Sequence, residues 1–303
     1  MEAMDKVTSR AASISSSGET KTTTLKLKNM LFATDLSPAS RKALPYATEL
    51  ARRYRATLYA VHVIRQDVYP FELPYMWPLQ AEAEEQFRET AKQELENELQ
   101  SISHELIFEE GAIWPTLSKI IHKNKIDLLV LGTHGRSGIG KALMGSVAEE
   151  VFRQATCPVL TIGPCVRPPT GDPIALNRIL YATDFSRQSL AAAKYAISLA
   201  TENRARLILL HCIHRSEDLE PMLQALRQVV PLGVDLLYAP NCIVERASPR
   251  DEILKVSEQY GANVIVLGVR SANWRLTAAT RFADSTAYQI VTKAACPVLT
   301  VRG

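Results

Sequence analysis

"LFATDLSPASRKALPYATELARRYRATLYAVHVI", residues 31–64, aligns without gaps on "LYATDFSRQSLAAAKYAISLATENRARLILLHCI", residues 180–213, and sixteen of the thirty-four positions are identical. Asp184 stands where Asp35 stands, 149 residues further on. Later, "VLG" at 130–132 returns at 266–268, and "CPVLTI" at 157–162 returns as "CPVLTV" at 296–301. Self-similarity of this kind means one structural unit written twice. Its 303 residues are also what two ordinary domains need.

Within each copy, short apolar runs alternate with longer helical patterns. In the first the order is "MLFAT", a helix over 38–54, "TLYAVHV", a helix over 80–100, "HELIFE", a helix over 115–123, "IDLLVLG", a helix over 146–155, and "PVLTI". That alternation implies an α/β fold: two tandem doubly wound, Rossmann-like domains on parallel sheets, with ligands expected at the carboxyl ends of the strands. In the second copy "CIVERA", rather than "GVDLLYA", is taken as the third strand.

The layout expected is a Ser/Thr-rich disordered tail over 1–25, a first domain over 26–163, a linker over 164–176 rich in turn-forming Pro and Gly, and a second domain over 177–303. Each final strand is apolar at alternate positions and would be a sheet edge. Pairing the two antiparallel, residues 158–162 beside 297–301, satisfies both and makes the chain its own pseudo-dimer, with a further homodimer left open.

Composition excludes several classes. A net charge of +3 from 35 basic and 32 acidic residues does not drive binding to nucleic acid or membrane surfaces. No run spans a bilayer and no apolar signal core opens the chain. Five cysteines without CxxC spacing fit a reducing, cytoplasmic setting. "HCIH" at 211–214 suggests a metal, but His62 occupies the place of His211, so the histidine belongs to the strand and no metal site is assigned.

The chemistry concentrates in "LLVLGTHGRSGIGKALMGSVAEEV", residues 128–151. Five glycines fall between Gly132 and Gly145, and an amphipathic helix follows, with Ser146 expected to cap it. A helix start with bare backbone before it presents unpaired N–H groups and a positive dipole end, which suits phosphate. It is neither a Walker loop nor the dinucleotide fingerprint, which follows the first strand; here the loop follows the fourth. A flexible turn with an ordinary cap is the plainer reading of the same residues.

The spacing Gly132, two residues, Gly135, nine residues, Gly145-Ser146 resembles the nucleotide motif of the universal stress protein family, in its ATP-binding branch. "ATDLS", "HVI" and "CPVLTI" resemble that family's landmarks in the same order. The resemblance implies that Asp35 and the backbone of Val63 hold a nucleoside, with Ala33 and Thr34 on the base side. It implies that Leu131, Gly132 and Gly135 line the ribose and phosphate path, and that Gly145, Ser146 and Val147 bind phosphates of ATP, with or without Mg2+. Arg136 and Lys141 could neutralise charge. The His-x-Gly-His pair of related nucleotidyl-transferring enzymes is missing from "ATDLSPAS", so no catalytic residue is assigned and at most a weak ATPase is expected.

The second copy keeps Gly268 but has Asp284 for Gly145, and an Asp there is expected to satisfy the helix N–H groups itself and repel phosphate. Arg270, Arg275 and Arg281 nearby could hold some other anion or pair with acidic groups, with a solvated basic loop as the plainer reading. The reading is an ATP-binding stress-response regulator with one competent site, partnered by an unknown protein. A non-catalytic scaffold with a vestigial nucleotide site, binding protein or a hydrophobic ligand, is the alternative. "DVYPFELPYMWPLQ", 67–80, has no counterpart in the second copy, and a surface helix with Phe87, Ala91, Leu95 and Leu99 on its inner face follows it.

Overall fold

The computed structural model describes residues 25–64, 77–133, 144–167, 174–214, 217–270 and 285–303. These fall into two compact units. One holds residues 27–64, 77–133 and 145–157; the other holds 25–26, 144 and the described residues from 158 to 303. The last strand of the first copy therefore counts with the second copy.

In the first unit the chain runs β1 (Asn29–Ala33), α1 (Pro38–Arg41), α2 (Leu44–Tyr54), β2 (Thr57–Ile64), α3 (Trp77–Leu99), β3 (His104–Glu110), α4 (Ile113–Lys123), β4 (Leu128–Gly132) and α5 (Ser146–Gln154). The strand order is β3-β2-β1-β4, all parallel. Met30, Leu31 and Phe32 of β1 and Leu129 and Val130 of β4 are fully buried. Continuous apolar strands of this kind mark a parallel sheet covered on both faces.

The second unit contains β5 (Val159–Ile162), β6 (Arg178–Ala182), α6 (Arg187–Glu202), β7 (Arg206–Cys212), α7 (Leu219–Arg227), β8 (Asn241–Glu245), α8 (Pro249–Gln259), β9 (Val264–Val269), α9 (Thr286–Lys293) and β10 (Val298–Arg302). Here the order is β5-β10-β9-β6-β7-β8. Every pair is parallel except β10 with β5, which is antiparallel in the register Val298↔Thr161, Leu299↔Leu160, Thr300↔Val159. This is the expected pairing of the two final strands. "CIVERA" forms the third strand of its copy as β8, and "GVDLLYA" forms none.

Two local expectations are corrected. The single helix over 38–54 is broken into α1 and α2, because Pro45 has no N–H for an intrahelical bond and starts a new helix in its first turn. Lys194 occupies the matching place in the second copy, and α6 runs unbroken. On α3, Ala91, Leu95 and Leu99 are buried as their spacing predicts, but Phe87 is 50% exposed, so the inner face begins one turn later than expected.

Candidate functional site

The carboxyl ends of β1, β2 and β4 lie side by side, since Ala33 pairs with both Val61 and Leu131. Strand alternation then decides what points where. The Val61 carbonyl accepts from Thr34 N–H at 3.0 Å on the β1 side, and the Ile64 carbonyl accepts from Gly111 N–H at 2.9 Å on the β3 side. Val63, two residues past Val61, therefore directs its carbonyl toward β1 beyond the last registered pair, Ala33↔Val61. The His62 ring holds the same corner, with Nδ1–H donating to the Thr34 carbonyl at 2.9 Å.

At the end of β1 the chain turns through a set of hydroxyl and carboxylate bonds. Thr34 Oγ1 accepts from Leu36 N–H at 2.9 Å, Asp35 Oδ1 accepts from Ser37 N–H at 3.0 Å, and Ser37 Oγ accepts from Ser40 N–H at 3.1 Å as the N-cap of α1. These bonds hold Leu36 at φ 64°, a left-handed conformation that costs a non-glycine residue about 1–2 kcal/mol. The second copy repeats every bond: Thr183 to Phe185 at 3.0 Å, Asp184 to Ser186 at 2.9 Å, Ser186 to Ser189 at 3.2 Å, with Phe185 at φ 55°. His211 repeats His62, with Nδ1–H to the Thr183 carbonyl at 2.7 Å. Asp35, and Ser37 as a cap for the helix that follows it, are legible in the sequence; the bonds made by Thr34 and Asp35 across the turn were missed. Their signal was present, since Thr, Asp, Ser and Ser are identical at the four positions in both copies.

The start of α5 is tied to the end of β4 by Gly145 N–H donating to the Thr133 carbonyl at 2.7 Å. Ser146 is not the cap: Gly145 occupies the N-cap, Ser146 is the first helical residue and is exposed, and no side chain among the described residues caps this end. In the second copy the N-cap of α9 is Ser285, whose hydroxyl accepts from Tyr288 N–H at 3.3 Å. The cap expected from Asp284 is thus supplied by Ser285. Among the described residues the two copies differ here: one helix start has no side-chain cap, the other is closed by its own hydroxyl.

Of the residues singled out, the structure gathers Ala33, Thr34, Asp35, Val63, Leu131, Gly132, Gly145, Ser146 and Val147 on strand ends and the adjoining helix start. Thr34 and Leu131 are buried; the others are half-buried or exposed. Gly132 has a structural reason as well, since a Cβ there would lie 3.2 Å from the Ala39 carbonyl oxygen and from Ser40 Cα. Gly135, Arg136 and Lys141 lie outside the described residues, as do Arg275, Arg281, Asp284 and residues 67–76.

The corresponding end of the second copy holds a pocket of about 210 Å³, open to solvent on one side, whose lining includes Asp184, Leu210, Cys212, Ile253, Leu267 and Ala287 together with the hydroxyl-bearing Thr183, Ser189 and Thr286. Burial alone would raise the Asp184 carboxyl, but hydrogen bonds from Ser186 and Ser189 together outweigh it and hold the group below the ordinary carboxylate value. Among the described residues no group of three or more His, Cys, Asp or Glu is placed to share a metal ion, and no helix is long and apolar enough to cross a membrane.

Comparison with known proteins agrees with this architecture. The family model of the universal stress protein family matches residues 26–163 and again 175–302. A universal stress protein of Methanocaldococcus jannaschii is 33% identical over 140 residues, 45% of this chain and 81% of that protein. Universal stress protein A homolog 1 of Coxiella burnetii is 32% identical over 141 residues, 45% of this chain and 95% of that protein. Among solved structures, a universal stress protein from Archaeoglobus fulgidus shares the fold at a TM-score of 0.70 and 24% identity, over 91% of this chain and 99% of that one. With the family model matched twice along the chain, this protein belongs to the universal stress protein family as a tandem two-domain member.

Proposed function

We propose that the chain is an ATP-binding regulatory protein of the stress-response type, with one competent nucleotide site in its first copy and none in its second. The observation that carries this reading is the contrast between the bare helix start at Gly145 and the start of α9 closed by Ser285. Unsatisfied N–H groups at a helix start attract an anion, and a hydroxyl already bonded there weakens that attraction.

In this reading the Val63 carbonyl and the Asp35 carboxylate accept hydrogen bonds from the nucleoside, with Ala33 and Thr34 beside the base. Asp35 Oδ1 is engaged by Ser37, but a carboxylate has about four lone-pair sites and keeps acceptor capacity. Leu131 and Gly132 form the wall of the phosphate path, and the N–H groups of Ser146 and Val147 face the phosphates beside Gly145, whose own N–H is held by the Thr133 carbonyl. Gly135 and Arg136, which lie outside the described residues, are assigned to the same path. Bound ATP, with or without Mg2+, supplies charge and ordering rather than chemistry, so turnover is slow at most.

The test is to denature the purified chain and identify what it releases, then to titrate ATP into nucleotide-free protein. One nucleotide per chain supports the proposal. No released nucleotide and no binding at millimolar ATP overturns it in favour of a non-catalytic scaffold.

A further inference from the structure

The cavity of the second copy has kept its walls while its helix start has been closed. Its floor is apolar, made by Leu210, Ile253, Leu267 and Ala287, and its polar rim offers acceptors. The Leu210 carbonyl accepts from Thr183 N–H at 3.0 Å on the β6 side, while Ile213 N–H bonds the Glu245 carbonyl on the β8 side. By the same alternation that applies to Val63, the Cys212 carbonyl points past the end of β6, whose last pair with β7 is Ala182↔Leu210. The Asp184 carboxylate lies on the same lining with one oxygen on Ser186 N–H and further acceptor sites remaining. Among the described residues that line it there is no lysine or arginine.

We propose that this cavity is a binding site for a small organic amine, protonated and free of phosphate, with a compact apolar body. The ammonium donates to the Asp184 carboxylate and the Cys212 carbonyl, and the apolar body fills the floor. Size supports the assignment: at about 210 Å³ the pocket is smaller than the roughly 300 Å³ at which pockets for drug-sized ligands begin. A pocket of that size suits a compact ligand. The charges around it agree. The Cys212 thiol is pushed up to about 11 first by burial and then by the negative charges of Glu252 and Glu245. On α8, Lys255 pairs with Glu252 at 3.0 Å and Arg250 with Asp251 at 2.7 Å, so these pairs add little net charge and the negative contribution beside the site comes from Glu245.

The experiment uses the full-length chain and three probes of one shape: 2-phenylethylamine, 2-phenylethanol and phenyl phosphate, followed by ligand-detected NMR at neutral pH. The expected result is that the amine binds about fivefold more tightly than the alcohol, the ratio for one charge-assisted contact at a solvent-accessible carboxylate, and that the phosphate does not bind. Asp184→Asn keeps an oxygen for the Ser186 N–H and should bring amine and alcohol to parity. Ala287→Trp should fill the cavity and remove both. Equal affinity for amine and alcohol in the parent protein overturns the proposal, as does binding of the phosphate in their place or no amine binding at about 10 mM. An amine preference that survives Asp184→Asn, or binding that survives Ala287→Trp in a protein with parental thermal unfolding, overturns it as well.

Discussion

A Cβ on Gly268 would lie 2.3 Å from Ser189 Cα and 2.4 Å from the Gln188 carbonyl oxygen, so the first turn of α6 rests on the bare backbone at the end of β9. The matching glycine of the first copy, Gly132, is less tightly held, with its nearest atoms at 3.2 Å. This explains why the glycine survives in the copy whose helix start is closed. Packing requires it there, whatever the site binds. Gly268→Ala should therefore destabilise the protein by about 1–3 kcal/mol, and Gly132→Ala by less than half of that. Equal shifts in chemical denaturation midpoints would show that the two contacts are not graded in this way.

The phosphate cradle is tested by moving the second copy's residue into the first. Gly145→Asp places a carboxylate at the start of α5, where it costs roughly 3 kcal/mol per charge pair against a phosphate at ~5 Å with an effective dielectric near 20. ATP affinity should fall by more than a hundredfold, with circular dichroism unchanged. Ser285→Ala should leave the ATP stoichiometry unaltered while removing a cap worth about 1 kcal/mol of thermal stability. ATP binding by the Gly145→Asp protein at parental affinity, measured by calorimetry, removes the assignment.

Much of this architecture could be read before any coordinates. The internal repeat gave two α/β units, "CIVERA" could be preferred to "GVDLLYA" as the counterpart of "LIFEE" in the first copy, and the antiparallel meeting of the final strands followed from the need to satisfy two apolar edges. What was missed depends on single backbone groups. Pro45 breaks a helix whose apolar period runs straight through it, and whether Gly145 or Ser146 is the cap turns on one ψ angle. Phe87 lies a turn outside the covered part of its own stripe. The cavity of the second copy was invisible because residues spread from 182 to 287 meet only when the strand ends align. The Asp35 turn was half legible: a carboxylate at a strand end suggested a ligand, and the structure adds that it also holds a left-handed residue in place.

Cysteine reactivity should divide sharply. Burial pushes the Cys157 thiol up to about 11 and Cys296 up to about 12, while Cys165 is exposed. At pH 8 a thiol at 11 is about one-thousandth thiolate, so a thiolate-seeking reagent should modify Cys165 in the native protein and reach Cys157 and Cys296 only on unfolding. The folded state favours the protonated thiols. Their contribution to stability is therefore complete below about pH 9 and is lost as pH rises through 11 and 12. Fast native-state labelling of Cys157, followed by peptide mass spectrometry, is the contrary outcome.

The antiparallel pairing of β5 and β10 gives the last prediction, in which two substitutions on one strand act in opposite directions. Ile265 N–H donates to the Pro297 carbonyl at 3.0 Å, so Pro297, just before β10, and Leu299 turn their backbone groups to β9, while Val298 and Thr300 turn theirs to β5. In the observed register Thr300 faces Val159 and Val298 faces Thr161, which makes these the hydrogen-bonded pairs. Val159→Pro thus removes an N–H from the Thr300 carbonyl. The lost bond and the stranded, buried acceptor together should cost about 2–4 kcal/mol. Thr161 is different, because its Oγ1 is buried without a hydrogen-bond partner among the described residues. Thr161→Val exchanges that hydroxyl for a methyl of similar shape and leaves the backbone bonds to Val298 intact. It should be neutral or stabilising by up to ~1 kcal/mol, since a buried polar group without a partner is worth less than the apolar group that fills its space. Thermal unfolding of the two variants decides the matter. A Val159→Pro protein that melts with the parent would mean that this ladder does not hold the strand, and a Thr161→Val protein destabilised by more than about 1 kcal/mol would mean that its hydroxyl has a partner after all.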